Sequence, residues 1–387
     1  MATTGVIGQT WRADVTAAGS VEPWDGSATL DWHVAADDRW HDPRTDTGVR
    51  HERIDGTAVF ETRVRIPGGD AIQRVWSVAD AGGFTLVEVT NDSTLPIAVA
   101  FTRPDVVANR PPADVPIRGV DLPPGSVLLP VGHRSTVIVG LAHTRSAAST
   151  LPAGLPSPDA VARGWSSRAD AASRLDLPDA AAASVRAARC EALLCGPPDV
   201  DDDPERFLLT AAELVRMGEW DERAVVAIVE DVAVAVERVV RGSSDLRRCA
   251  IDAAGVVLAA AGERRAIRDL ERFMSPCTTP EVVPGDMNAT IEMVAAVERQ
   301  IAAGSVLFPS GIPPAWLGVN AEAHGLVAGP SSRLSLGVRW HGPNAAVLWE
   351  VTGDPVTLTS PTVPGGWTAN APSGEMLWVL GANSLRT

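Results

Sequence analysis

The spacing of hydrophobic residues changes period twice along this chain, and that change limits the folds open to it more than any other feature. Residues 1–150 alternate apolar and polar positions at a period of two, interrupted at short intervals by Gly, Pro, Asn and Asp. Residues 151–304 shift to helical spacing, and residues 305–387 return to strand-like runs. At 387 residues the chain also exceeds what one hydrophobic core usually serves. The pattern predicts an α+β multidomain protein. An N-terminal antiparallel β-sandwich spans 1–150, a central antiparallel helical domain 151–304, and a C-terminal β-rich segment 305–387.

The clearest hairpin covers Val49 to Ile66, where Asp55-Gly56 supplies the positive φ angles of a tight turn. Its second arm sets Phe60, Thr62, Val64 and Ile66 on one face and Glu61, Arg63 and Arg65 on the other. In the middle segment helices open at Ser157-Pro158, Pro178, Asp203-Pro204, Asp221, Ser244, Glu263 and Asp286. Gly218, Gly242 and Gly304 supply stops, and Leu175–Leu177 reads as a short turn. Antiparallel packing then gathers the loops Cys195–Asp203, Gly242–Ser244 and Ser275–Gly285 at one end, where function is usually built. Strands follow at Arg333–Arg339, Ala345–Thr352, Pro355–Thr359 and Met376–Leu380.

Charge and residue choice remove several classes of function. The net charge is −15 and all 33 basic residues are arginine, scattered rather than clustered, which speaks against nucleic acid and anionic membrane surfaces as partners. No apolar run approaches the ~20 residues needed to cross a bilayer. Met1 to Trp11 lacks the order of a secretory signal, so the expected location is cytoplasmic. The four cysteines make no CxxC pair and the histidines lie mostly elsewhere, so no metal site is expected. The absence of lysine excludes Schiff-base chemistry, and the absence of tyrosine excludes phenolic acid–base roles. Without a G-x-G-x-x-G, phosphate-loop, H-E-x-x-H or G-x-S-x-G pattern, no cofactor is expected.

Several stretches carry a resemblance. Arg74-Val75-Trp76-Ser77-Val78 and Val87-Glu88-Val89-Thr90-Asn91-Asp92-Ser93 are similar to the N-terminal sandwich of glucoamylase-like glycosidases and their relatives. Ala315-Trp316-Leu317-Gly318, Glu322-Ala323-His324-Gly325 and Arg339-Trp340-His341-Gly342-Pro343 resemble the tail of actinobacterial glycosidase-like proteins. The resemblance implies a sandwich joined to an α/α-toroid. Here the helical segment has room for about seven helices, a shortened and partial toroid.

Glycoside hydrolysis needs two carboxyl groups facing one sugar, ~5–5.5 Å apart in retaining enzymes and ~6.5–9.5 Å apart in inverting ones. Glu281 and Asp202 are the candidate catalytic pair at the long-loop end, whereas Asp203 is better read as a helix cap. Candidate ligand-binding residues are Asp38, Trp40 and His41, then Trp220 between two acids, then Glu322, His324, Arg339 and His341. Indole faces beside acids and arginine suit sugar rings. Core packing is the expected fate of Trp32, which alternates with Leu30 and Val34. The expected function is a glycosidase-like protein that binds a carbohydrate or a protein partner without catalysis. The alternative is an active glycoside hydrolase whose cleft is completed by oligomerisation.

Overall fold

The computed structural model describes residues 2–144, 150–242, 244, 246–270, 272 and 289–380. Its several antiparallel sheets and its helices make it a mixed α+β protein. The chain divides into two compact units, Met1–Ser166 and Ser167–Thr387.

The first unit is built from β1 (Thr3–Gly5), β2 (Arg12–Val15), β3 (Val21–Pro23), β4 (Trp32–Ala35), β5 (Trp40–His41), β6 (Arg50–Arg53) and β7 (Phe60–Ile66). It continues with β8 (Gly69–Val78), β9 (Phe84–Asn91), β10 (Ile97–Phe101), β11 (Val107–Ala108), β12 (Val127–Val131) and β13 (Thr136–Ala142). A four-stranded sheet in the order β12-β10-β4-β5 and a six-stranded sheet in the order β11-β13-β9-β8-β7-β6 share one core. Val34, Val99 and Leu129 come from the first sheet, and Val64, Val75, Val87 and Val137 from the second. Trp32 is buried there, its indole N–H donating to the Ala18 carbonyl at 2.9 Å.

Local chemistry explains the joints. Asp55 and Gly56 hold φ of 51° and 72°, so the turn read from sequence brings β6 onto β7 in register. Gly69 has a different reason to be glycine: a Cβ there would sit 2.2 Å from the Asp92 carbonyl oxygen. Glu61, on the polar face of β7, is nonetheless buried. It accepts from Arg63 Nε at 2.6 Å and from its cross-strand neighbour Arg74 at 2.8 Å, which offsets its desolvation. The first unit ends within α1 (Pro158–Ala169), where Ser157 Oγ accepts from the Ala160 amide.

The second unit opens with β14 (Arg174–Asp176), followed by α2 (Ala181–Cys195), α3 (Pro204–Arg216), α4 (Glu222–Ala227), α5 (Val229–Arg241), α6 (Arg247–Ala260), α7 (Arg264–Leu270) and α8 (Ile291–Ile301). Strands β15 (Ala302–Ala303), β16 (Val306–Leu307), β17 (Ala321–Gly329), β18 (Ser332–His341), β19 (Asn344–Gly353), β20 (Leu358–Ser360), β21 (Trp367–Ala369) and β22 (Ser373–Trp378) complete it. Five strands pair antiparallel in the order β14-β17-β18-β19-β22.

The helices and C-terminal strands, which differ in sequence period, share a single core. Phe207, Leu208, Val232, Val257 and Val294 meet Leu326, Leu336, Val347 and Trp378 in it. Residues 174–176 are not a turn but the edge strand β14, paired with Ala323 and its neighbours. Three residues are too few for a periodic signal, and the pairing partner lies far along the chain. The helix expected from Asp221 to Arg241 is broken at Ile228, where ψ is 4°. Asp203 caps α3 by accepting from the Arg206 amide at 3.0 Å, with Pro204 in the first turn. Tryptophan serves packing: Trp349 and Trp367 lie edge to face at 5.1 Å, and Trp367 tilts against Trp378 at 5.4 Å.

Candidate functional site

The second unit holds a cavity of about 370 Å³ between α3, α6, α7, α8 and the β17–β18 turn. Its apolar wall includes Leu209, Ile251, Val256, Ile267, Ile291 and Val294. Alanine and glycine on α6 allow close packing: Ala250, Ala254 and Gly255 are buried, and a Cβ on Gly255 would meet Pro330 of the β17–β18 turn at 3.3 Å. The remaining wall is charged and built from two ion-pair networks.

The first network is buried. Glu213 on α3 accepts from Arg189 Nε at 2.6 Å and from Arg216. Glu298 on α8 accepts from Arg189 at 2.7 Å, from both terminal nitrogens of Arg216 at 2.8 Å, and from the Ser173 hydroxyl at 2.5 Å. Arg216 also donates to the carbonyls of Ala172 and Gly325, yet its Nε is buried with no acceptor among the described residues. Burial pushes the Glu298 carboxyl up, but the Arg216 and Arg189 charges and their hydrogen bonds prevail and hold it at about 2. Burial likewise opposes the charge on Arg216, which Glu213 and Glu298 keep firmly protonated.

The second network reaches the cavity from α6 and α8. Asp252 accepts from Arg248 Nε at 3.0 Å and from Arg299 at 3.2 Å. Burial raises its carboxyl despite both arginines. Among the described residues the two terminal nitrogens of Arg248 and the Nε of Arg299 have no hydrogen-bond partner. Cys249, beside them, is buried, and burial pushes its thiol up.

The residues singled out from sequence lie elsewhere. Glu281 falls outside the described residues. Asp202 is exposed in a polar turn whose neighbours Asp201 and Asp203 are engaged by Arg238 and the α3 amides. Trp40, His41 and Asp38 stay together on and beside β5, but the strand sends Trp40 and His41 to opposite faces. The Trp40 indole N–H donates to the Arg118 carbonyl at 2.8 Å. His41 is buried between Asp46 Oδ2 at 2.8 Å and Asp38 Oδ1 at 3.0 Å, enclosed rather than presented to a ligand. Trp220 packs against the core of the second unit. Glu322 joins Arg339 and, at 3.3 Å, His324 on the face of the five-stranded sheet away from that core. His341 is exposed at the end of β18, apart from this trio.

One further cluster escaped the sequence reading. His143 stacks on Trp11 with centroids 4.2 Å apart, and its Nδ1 donates to Gln9 Oε1 at 3.0 Å. Its Nε2 therefore accepts from the Thr85 hydroxyl at 3.0 Å, and the chain of hydroxyls runs on to Ser77 and Thr4. Burial, helped by the nearby Arg12, lowers the ring to about 4.

The described residues contain no group of three or more His, Cys, Asp or Glu placed to hold a metal ion. No described helix is long and apolar enough to cross a membrane. Set beside known proteins, the chain matches no family model, no curated sequence and no solved structure.

Proposed function

We propose that this chain is a non-catalytic small-molecule-binding protein whose ligand occupies the cavity between α3, α6, α7 and α8. One observation carries the reading: a largely apolar cavity of about 370 Å³ coincides with the convergence of Glu213, Arg216, Arg248, Asp252, Glu298 and Arg299. That volume lies at the small end of ordinary ligand pockets, in which a few polar groups orient a mainly apolar surface.

The non-catalytic half of the expected function is supported by the state of the acids. A glycoside hydrolase keeps one carboxyl protonated and another free to act. Here Glu213 and Glu298 are neutralised by buried arginines. The raised carboxyl of Asp252 beside the ionised Glu298 is the one observation that favours a catalytic reading. Two arginines already occupy Asp252, however, so its role as orienter of those arginines fits the geometry better. A sugar ligand gains no support from the wall, whose lining among the described residues includes no Trp or Phe.

The experiment is to titrate octan-1-ol, a neutral amphiphile, against the full chain by calorimetry, with Ala295→Phe as the control. Ala295 lines the cavity and is half-buried, so the added ring fills space rather than overpacking the core. Saturable binding to the natural chain that Ala295→Phe removes is the expected result. Equal binding by both sinks the reading, as does failure of octan-1-ol and of its anionic counterparts octanoate and octyl phosphate alike.

A further inference from the structure

The charged networks that reach the cavity, taken with the arginines behind them, hold more arginine than their carboxylates neutralise. Arg216, Arg248 and Arg299 line it against Glu213, Asp252 and Glu298, which taken alone is an even balance. Behind them Arg189 joins the same network, and Arg333 feels Arg216, Glu298 and Glu213 directly. Among the described residues that is five arginines to three carboxylates, in a chain whose net charge is −15. A local excess of the opposite sign inside an acidic protein selects what enters.

The geometry of the excess is specific. Arg189 and Arg216 are engaged by Glu213 and Glu298, so the first network is a neutral backing, and the surplus lies with Arg248 and Arg299 against the single Asp252. Arg248 gives Asp252 only its Nε, leaving one edge of a planar fork unused beside the apolar wall. Arg299 gives Asp252 one terminal nitrogen and keeps an Nε without an acceptor. A guanidinium fork matches two oxygens held in one plane or on one phosphorus, and charge-assisted pairs of this kind are about twice as strong as neutral ones. The buried Nε of Arg299 without an acceptor is costly, and a charged ligand oxygen is a remedy that a neutral alcohol supplies poorly.

We infer that the ligand is an amphipathic organic anion, its acid group on the unused fork of Arg248 with Arg299 beside it and its hydrocarbon body against Ile251, Val256, Ile267 and Val294. This rests on the cavity being the binding site. Asp252 then acts as a positioning residue that holds both arginines at the cavity mouth while leaving them a surplus positive charge.

Three probes of one chain length separate the possibilities: octanoate, octyl phosphate and octan-1-ol, each titrated against the full chain. The inference expects both anions to bind about tenfold or more tighter than the alcohol, with that margin shrinking as salt is raised. Arg248→Gln should weaken both anions about tenfold or more while weakening octan-1-ol far less, so that the margin collapses, and Arg248→Lys should restore part of it. Circular dichroism and octan-1-ol binding report whether each variant is folded. Preference for octanoate over octyl phosphate identifies a carboxylate head, and the reverse a phosphate head; either supports the anion. Octan-1-ol binding as tightly as both anions, or an undiminished margin in Arg248→Gln, overturns the inference and leaves the cavity reading standing. Failure of all three probes to bind overturns both.

Discussion

Two clusters of arginine and carboxylate in the second unit use the same chemistry in opposite settings. Glu322, Arg339 and His324 meet on the outer face of the five-stranded sheet, with side chains about a third exposed. Arg189, Glu213, Arg216 and Glu298 meet inside, each side chain no more than 10% exposed. In the first, water competes with every contact and the pairing contributes little. In the second, each charge has lost its hydration, and only the other members stand in for it. The difference teaches where to look for a site in this molecule. The exposed trio is a solvated decoration of a sheet, while the buried quartet fixes α2, α3 and α8 and borders a cavity.

The largest expected effect follows from breaking the buried quartet at one member. Glu298→Ala leaves Arg189 and Arg216 with Glu213 as their one remaining carboxylate among the described residues, and should lower unfolding free energy by about 3–5 kcal/mol in denaturant titrations. A loss near zero would show that the quartet is as dispensable as the surface trio. The same group predicts acid sensitivity. With an ordinary value of 4.5 and a folded value of about 2, Glu298 contributes stability above pH 4.5 that is lost as pH falls toward 2.

A smaller effect, in a different window, comes from His143 in the first unit. Its ordinary value is 6.5 and its folded value about 4, so the unfolded chain takes up a proton over a range where the folded ring does not. The stability it contributes is complete above pH 6.5 and lost as pH falls toward 4, about 1–2 kcal/mol once screening of a partly exposed ring is allowed for. Thermal unfolding between pH 7 and 4 should steepen accordingly, and His143→Gln should flatten it. An unchanged slope in that variant would place the titration elsewhere. Because the two groups lose most of their contributions in different windows, a pH series distinguishes the two contributions in the intact chain.

What the sequence disclosed tracks how local each signal is. The Asp55-Gly56 hairpin, the Asp203-Pro204 cap and the burial of Trp32 each depend on a few adjacent residues, and each is seen in the structure. The exposed trio was partly legible, since Glu322 with His324 and Arg339 are two short motifs, although His341 does not join them. The buried quartet was not. Its members stand at 189, 213, 216 and 298, and only Glu213 and Arg216 share a helix face at a three-residue spacing. Ionic residues in otherwise apolar helical stripes were the available signal: Arg189 among Ala187, Ala188 and Cys190, and Glu213 between Ala212 and Leu214. A charge in such a position implies a buried partner, though not which one. The shared core of helices and C-terminal strands was hidden for the same reason, because periodicity reports which face of an element is buried and not what buries it.

The smallest effect is also the sharpest test of the comparison. Glu322 accepts from Arg339 and His324, and those contacts draw its carboxyl below the ordinary range, the Arg339 hydrogen bond first among them. If hydrogen-bond pattern alone set the strength of an ion pair, Glu322→Gln would weaken the fold measurably, as Glu298→Gln must. If solvation decides, water replaces what Arg339 and His324 lose, and the denaturation midpoint of Glu322→Gln stays within error of the natural chain. Raising salt should leave that null result unchanged, because screening removes only what an exposed pair still contributes. A clear shift in the Glu322→Gln midpoint would mean that this sheet face is covered in solution, and the trio would then have to be read as part of an interface.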